Sequence, residues 1–168
     1  MNIYFLHDDP HVAATLHVDD HLKPMYVEAV AMMTATTRDG EDNLHVRSHP
    51  MTRWVGSNRK HYIWTWRLAE ALNREHEHRF GETLPYAVEL ERLRWLADEI
   101  EDRPWRNPPR CIHDWCKVDH DRHVRTGASH SAHVASYRLF YAHRVESRDI
   151  PTWTKREVPS WYAEQLGA

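Results

Sequence analysis

Tyr62, Trp66, Ala69, Leu72, His76 and Phe80 recur at three- to four-residue spacing, and Gly81 follows at once. That period marks one face of an α-helix, and a glycine just past the last turn supplies the left-handed cap with which helices commonly end. A helix over 58–80 is therefore the strongest constraint on the fold. Residues 11–36 also read helical, with Pro24 as a kink or boundary, because proline lacks an N–H and crowds the preceding turn. Thr83 is placed to cap a third helix with the stripe Tyr86, Leu90, Leu93, Ala97 and Ile100, stopped by Pro104. A shorter helix near 132–147 presents Val134, Tyr137 and Tyr141. Residues 104–132, rich in Pro, Asp, Gly and His, read as irregular. Period-2 alternation is confined at most to Asn2–Leu6. The prediction is an all-α single domain over 1–168, with about four helices and an aromatic tail, Ile150 to Tyr162, that packs back on the body.

The chain has 168 residues, enough for one domain and too few for two of ordinary size. Apolar residues make up 41%, which suffices for a core. Mean hydropathy is −0.77, and no run approaches the roughly eighteen apolar residues of a membrane helix. Residues 1–9 turn acidic without a basic start, so no secretory signal is expected. The two cysteines, Cys111 and Cys116, cannot build a disulfide framework, which agrees with a reducing compartment. A soluble cytoplasmic protein without a membrane partner is the expectation.

Charge is segregated. Residues 1–42 carry eight acids against Lys23 and Arg38, whereas 43–60 carry Arg47, Arg53, Arg59 and Lys60 with no acid. That basic stretch adds His45 and His49, and Trp54, Tyr62, Trp64 and Trp66 interleave with it or follow it. Arginine and lysine neutralise phosphates, while aromatics stack on bases or wedge into an opened duplex. The alternatives are scattered solvated charge and, for Trp54 and Trp66, a place in the core. Further positive islands lie at 104–117 and 134–148. The residues assigned to nucleic acid are Arg47, His49, Arg53, Arg59, Lys60, Arg138, Lys155 and Arg156, with double-stranded DNA as partner.

Two groupings could carry chemistry. In Asp19-Asp20-His21-Leu22-x-x-x-Tyr26-x-Glu28, a continuous helix places His17 and His21 at i and i+4, with Glu28 seven residues on along the same face. A carboxylate flanked by Val27, Ala29 and Val30 is placed for partial desolvation, which suits proton transfer. The bland alternative is a surface glutamate and a satisfied half-buried histidine. The same His17, His21 and Glu28 form a two-histidine, one-carboxylate set, and Cys111, His113, Cys116, His120 and His123 cluster within thirteen residues. Zinc or iron favours such ligands, but Cys-x4-Cys-x3-His-x2-His is not a usual finger spacing, and with 15 histidines chance clusters are expected. No cofactor is therefore predicted. No Gly-rich phosphate loop or G-x-S-x-G elbow occurs.

Asp19-x-His21-Leu22-x-x-x-Tyr26-x-Glu28 resembles the first-helix motif of the small phage pyrimidine-dimer DNA glycosylase/AP lyases. His49-Pro50, a long helix ending Arg79-Phe80-Gly81, and Arg148-x-x-Pro151-Thr152-Trp153 through Trp161-Tyr162 are similar to that family too. That resemblance is patchy and distant. Nearly the whole chain also resembles a group of uncharacterised phage proteins. The shared pieces are Asp8 to Pro10, Asp19 to Glu28, His49-Pro50, Tyr62 to Trp64, Tyr137 to Tyr141 and Trp153 to Trp161. The glycosylase resemblance implies that the α-amine of the first residue attacks the sugar C1′, expels a base taken out of the stack and forms a Schiff base. A helix glutamate then assists β-elimination. On this chain the amine belongs to Met1, the glutamate is Glu28, and His21 makes a supporting contact. The family carries arginines beside its glutamate and one turn later, where Val27 and Ala31 stand here.

The leading expectation is thus a phage DNA glycosylase/AP lyase-like enzyme acting on damaged or modified pyrimidines. A base-modifying or metal-dependent enzyme on the same scaffold is the alternative, with His17, His21 and Glu28 holding the ion. A third reading is a non-enzymatic accessory protein that binds a host partner through its aromatic tail. The sequence does not say whether Asp114 and Lys117 reach the site.

Overall fold

The computed structural model describes residues 2–37, 44–125, 131–146 and 150–166, all helical or irregular, with no strand among them. The all-α class holds, but the described residues form nine α-helices rather than about four. The predicted 11–36 helix is two. α1 (Pro10–Thr15) starts at Asp9, whose side chain accepts the His11 N–H, and α2 (Asp19–Ala35) starts after an extended Val18. Pro24 lies inside α2 and is not its boundary. The carbonyl it leaves without an intrahelical donor is that of Asp20, an exposed residue that water can reach.

The basic stretch holds two short helices that no hydrophobic period announced, α3 (Leu44–Ser48) and α4 (Pro50–Gly56). Their signal is local, since His49 caps α4 and Pro50 fills its first turn, where a missing N–H costs nothing. α5 (Arg59–Phe80) runs as predicted from an Asn58 cap to Gly81 at φ 77°. Its buried face differs in the last turns. Glu75 and Arg79 point inward, so His76 and Phe80 pack on each other at the surface. α6 (Ala87–Trp95) continues as a 3₁₀ turn to Glu99 and buries Leu90, Leu93 and Ala97. Thr83 is not its cap, because the helix starts after Tyr86, which turns the chain at φ 71°.

Residues 101–119 are irregular apart from a 3₁₀ turn at Asp114–Cys116, and α7 (His120–Arg125) follows. α8 (Ala132–Glu146) buries Val134, Tyr137 and Tyr141 as its stripe predicted. The tail ends in α9 (Ser160–Leu166) and packs back as expected. Trp153 and Tyr162 are buried, the Trp153 Nε1–H donates to Leu16 O at 3.0 Å, and the Asp19 N–H donates to Thr152 O at 2.9 Å.

α2 and α5 form the central pair, with α1, α4 and α6 against them. Ile3–Leu6, extended and wholly buried, join this core. His17, beside them, is also buried. Its Nδ1–H donates to Ala13 O at 2.8 Å, so its Nε2 carries a lone pair, and that atom has no hydrogen-bond partner among the described residues.

Burial holds His17 down at about 3, against an ordinary 6.5. Between those values the unfolded chain binds a proton that the folded chain refuses. The His17 contribution is therefore whole above pH 6.5 and is lost as pH falls, at about 1.4 kcal/mol per unit. His17→Asn, which keeps a donor for Ala13 O, is expected to flatten the unfolding free energy between pH 6.5 and 4.5 by about that slope in urea titrations. An unchanged slope would contradict a neutral buried His17.

Candidate functional site

Glu28 stands half-buried on α2, at the boundary between exposed Val27 and buried Ala29 and Val30. Its partner is the beginning of the chain. The backbone N–H of Asn2 donates to Glu28 Oε2 at 2.6 Å. Asn2 is itself gripped. Its Nδ2 donates to Cys111 O at 2.9 Å, and its Oδ1 lies 3.2 Å from the Tyr137 hydroxyl, whose proton is shared with Pro109 O at 2.8 Å. Burial pushes the Tyr137 phenol far above its usual range, so it stays a donor. The site thus draws on α2, the irregular segment and α8.

His49 and Cys111 complete it. His49 Nδ1 accepts the Met51 N–H at 3.2 Å, which leaves the ring proton on Nε2. Burial lowers its pKa, and the charge of Glu28 opposes that shift. Burial raises the Cys111 thiol, while Lys117 and the Met51 N–H oppose it. The Lys117 ammonium, whose charge acts on Cys111, is tethered to exposed Asp114 at 2.6 Å.

Other candidates lie elsewhere. Met1 falls outside the described residues. His21 is buried, stacked on Tyr4 at 5.6 Å, with Nδ1 3.0 Å from the Tyr141 hydroxyl. It sits seven residues from Glu28, about 10 Å along the helix. His17 and His21 both pack on Tyr4 and Tyr141, so the structure brings the two histidines into one aromatic cluster and leaves Glu28 outside it. Among the described residues no group of three or more His, Cys, Asp or Glu is placed to hold a metal ion.

The basic residues divide. Arg47 and Arg53 are exposed along an open groove of about 490 Å³ with Leu44, Ser48 and Thr52, beside half-buried His49. The others have internal partners. Arg59 pairs with Asp98, Lys60 with Asp102 at 3.3 Å, and Arg156 with Glu75 at 2.8 Å. Arg138 donates to Leu6 O and lies over Trp161, and Lys155 donates to His78 O. Trp54 is buried against His61 at 4.3 Å, and Trp66 is partly buried, donating to Leu90 O at 2.8 Å.

Asn2, Cys111 O and Tyr137 had no functional signal in the sequence. Cys111 and Tyr137 lie 109 and 135 residues from Asn2 along the chain, and Tyr137 reads as a core position and as part of the Tyr137–Tyr141 piece, with no role assigned to it. No family model, curated protein or solved structure matches this chain.

The Met51 contact makes a direct prediction. Long-range ¹H–¹⁵N spectra of ¹⁵N-histidine protein, with His49 identified by its loss in His49→Gln, are expected to show the Nε2–H tautomer titrating below 6.5. A proton on Nδ1 would contradict the geometry.

Proposed function

We propose that this chain is a phage-type DNA glycosylase/AP lyase acting on damaged or modified pyrimidines in double-stranded DNA, in the cytoplasm of a bacterial host. The observation that carries the reading is the 2.6 Å hydrogen bond from the Asn2 N–H to Glu28. It sets a helix carboxylate against the first residues of the chain, where the resemblance puts an amine and a glutamate. The amine is that of Met1, one residue from Asn2, and Met1 removal would transfer it to Asn2 N.

The chemistry follows from those two groups. A neutral α-amine, of pKa about 8, attacks C1′. The base leaves with the glycosidic electron pair and one proton of the amine, and the resulting N,O-acetal opens to an imine as the second amine proton passes to O4′. Glu28 takes a proton from C2′, the electrons move to expel the 3′ phosphate, and water hydrolyses the imine. The target nucleotide or its partner leaves the stack before this can begin. Arg47 and Arg53 hold phosphates along the groove, and His49, the residue after Ser48 of that groove, feels the charge of the carboxylate.

Glu28→Gln is expected to lower scission of an abasic duplex by at least about 10²-fold while duplex binding persists. Scission at the wild-type rate would overturn the role of Glu28. Arg47→Ala and Arg53→Ala should each reduce the slope of log K against log salt by about 0.9, as one phosphate contact is lost. Arg59→Ala and Arg156→Ala should leave it unchanged, because those cations serve Asp98 and Glu75. Equal effects from all four would remove the assignment of the groove.

A further inference from the structure

We propose that Asn2 is a positioning residue whose carboxamide, gripped by the Tyr137 hydroxyl and the Cys111 carbonyl, seats the start of the chain on Glu28. The inference rests on the lyase reading for its chemistry, and on the hydrogen bonds alone for its geometry.

An asparagine side chain has one accepting and one donating end, and here both are engaged at 3.2 and 2.9 Å. Holding both ends fixes the place and plane of the carboxamide, and the residue's own N–H, four bonds from it along the same residue, makes the third contact, to Glu28 at 2.6 Å. The clamp comes from rigid parts. Tyr137 is fully buried on α8, and its phenol also bonds Pro109 O, two residues before Cys111. The demand is specific to asparagine. Aspartate would set a carboxylate oxygen against the Cys111 carbonyl, and serine or threonine could not satisfy two partners with one hydroxyl at this reach. A residue with loose side chain would let the first residues swing away from Glu28, and an error of about 1 Å in reacting groups costs about a hundredfold in rate. α8 and the irregular segment thereby act on the reaction without touching the substrate.

The test uses Asn2→Asp and Tyr137→Phe in the full chain, with intact mass showing that residue 1 is processed as in wild type. Hydrogen–deuterium exchange of the Ile3–Leu6 amides should quicken at least about tenfold in both, with α5 amides unchanged. In steady-state scission of an abasic duplex, kcat should fall about tenfold to a hundredfold with KM within about twofold of wild type. Tyr137→Phe keeps the ring and its packing, so a folding defect in Asn2→Asp alone does not decide the matter. Unchanged exchange in Tyr137→Phe overturns the clamp, and quickened exchange with unchanged kcat overturns the positioning role. A wild-type protein that neither cleaves nor forms an imine with abasic DNA defeats the lyase reading, and the exchange measurement then decides by itself whether Asn2 seats the chain start.

Discussion

The fold hangs on one buried guanidinium. The Arg79 side chain is fully enclosed, and its nitrogens donate to Glu75 Oε1 at 2.7 Å, Asp19 Oδ1 at 2.8 Å, His17 O at 2.9 Å and Thr15 O at 3.0 Å. Two of those acceptors are carbonyls freed where the chain breaks between α1 and α2, groups that a helix end leaves without partners. The other two are carboxylates, both held below their usual range by their hydrogen bonds to arginine against the pull of burial. Arg156 closes Glu75 from the tail, and Thr154 closes Asp19. Removing one member of such a set strands a buried charge, at a cost of about 3–5 kcal/mol. The network joins the start of α2, the end of α5 and the tail in a single constraint.

That constraint sets where α2 begins, and α2 in turn carries the site. The extended segment from Asn2 runs along it, so Asn2 meets Glu28 and Tyr4 stacks on His21 nearer the network. His21 and Tyr141 belong to this support. The Tyr141 hydroxyl lies 3.0 Å from His21 Nδ1 and accepts the Val18 N–H at 2.9 Å, which pins the first turn of α2 to α8. The histidine of the Asp-x-His motif thus works on the geometry of the helix that bears the glutamate, from two turns away.

What the sequence revealed and what it hid follow from the range of the interactions. α5 and α8 were legible because their apolar stripes repeat locally, and Gly81 marks an end by its own backbone freedom. Glu28 was legible as a carboxylate flanked in sequence by Val27, Ala29 and Val30, although Val27 turns out exposed. The inward turn of Glu75 and Arg79 was not, since period analysis counts charged residues as solvent-facing, and the pair is buried only because Asp19 and two carbonyls arrive from sixty residues away. The same holds for the ion pairs of Arg59, Lys60 and Arg156, whose carboxylate partners are likewise remote in the chain. Asn2 and Tyr137 become site residues only through a contact spanning 135 positions.

The most direct measurement is borohydride reduction of the protein mixed with an abasic duplex, followed by peptide mapping of the adduct. The account predicts one covalent sugar adduct, on the α-amine of the first residue of the chain. An adduct on a lysine side chain, such as Lys117 Nζ, whose charge acts on Cys111, or no adduct at all, would contradict it.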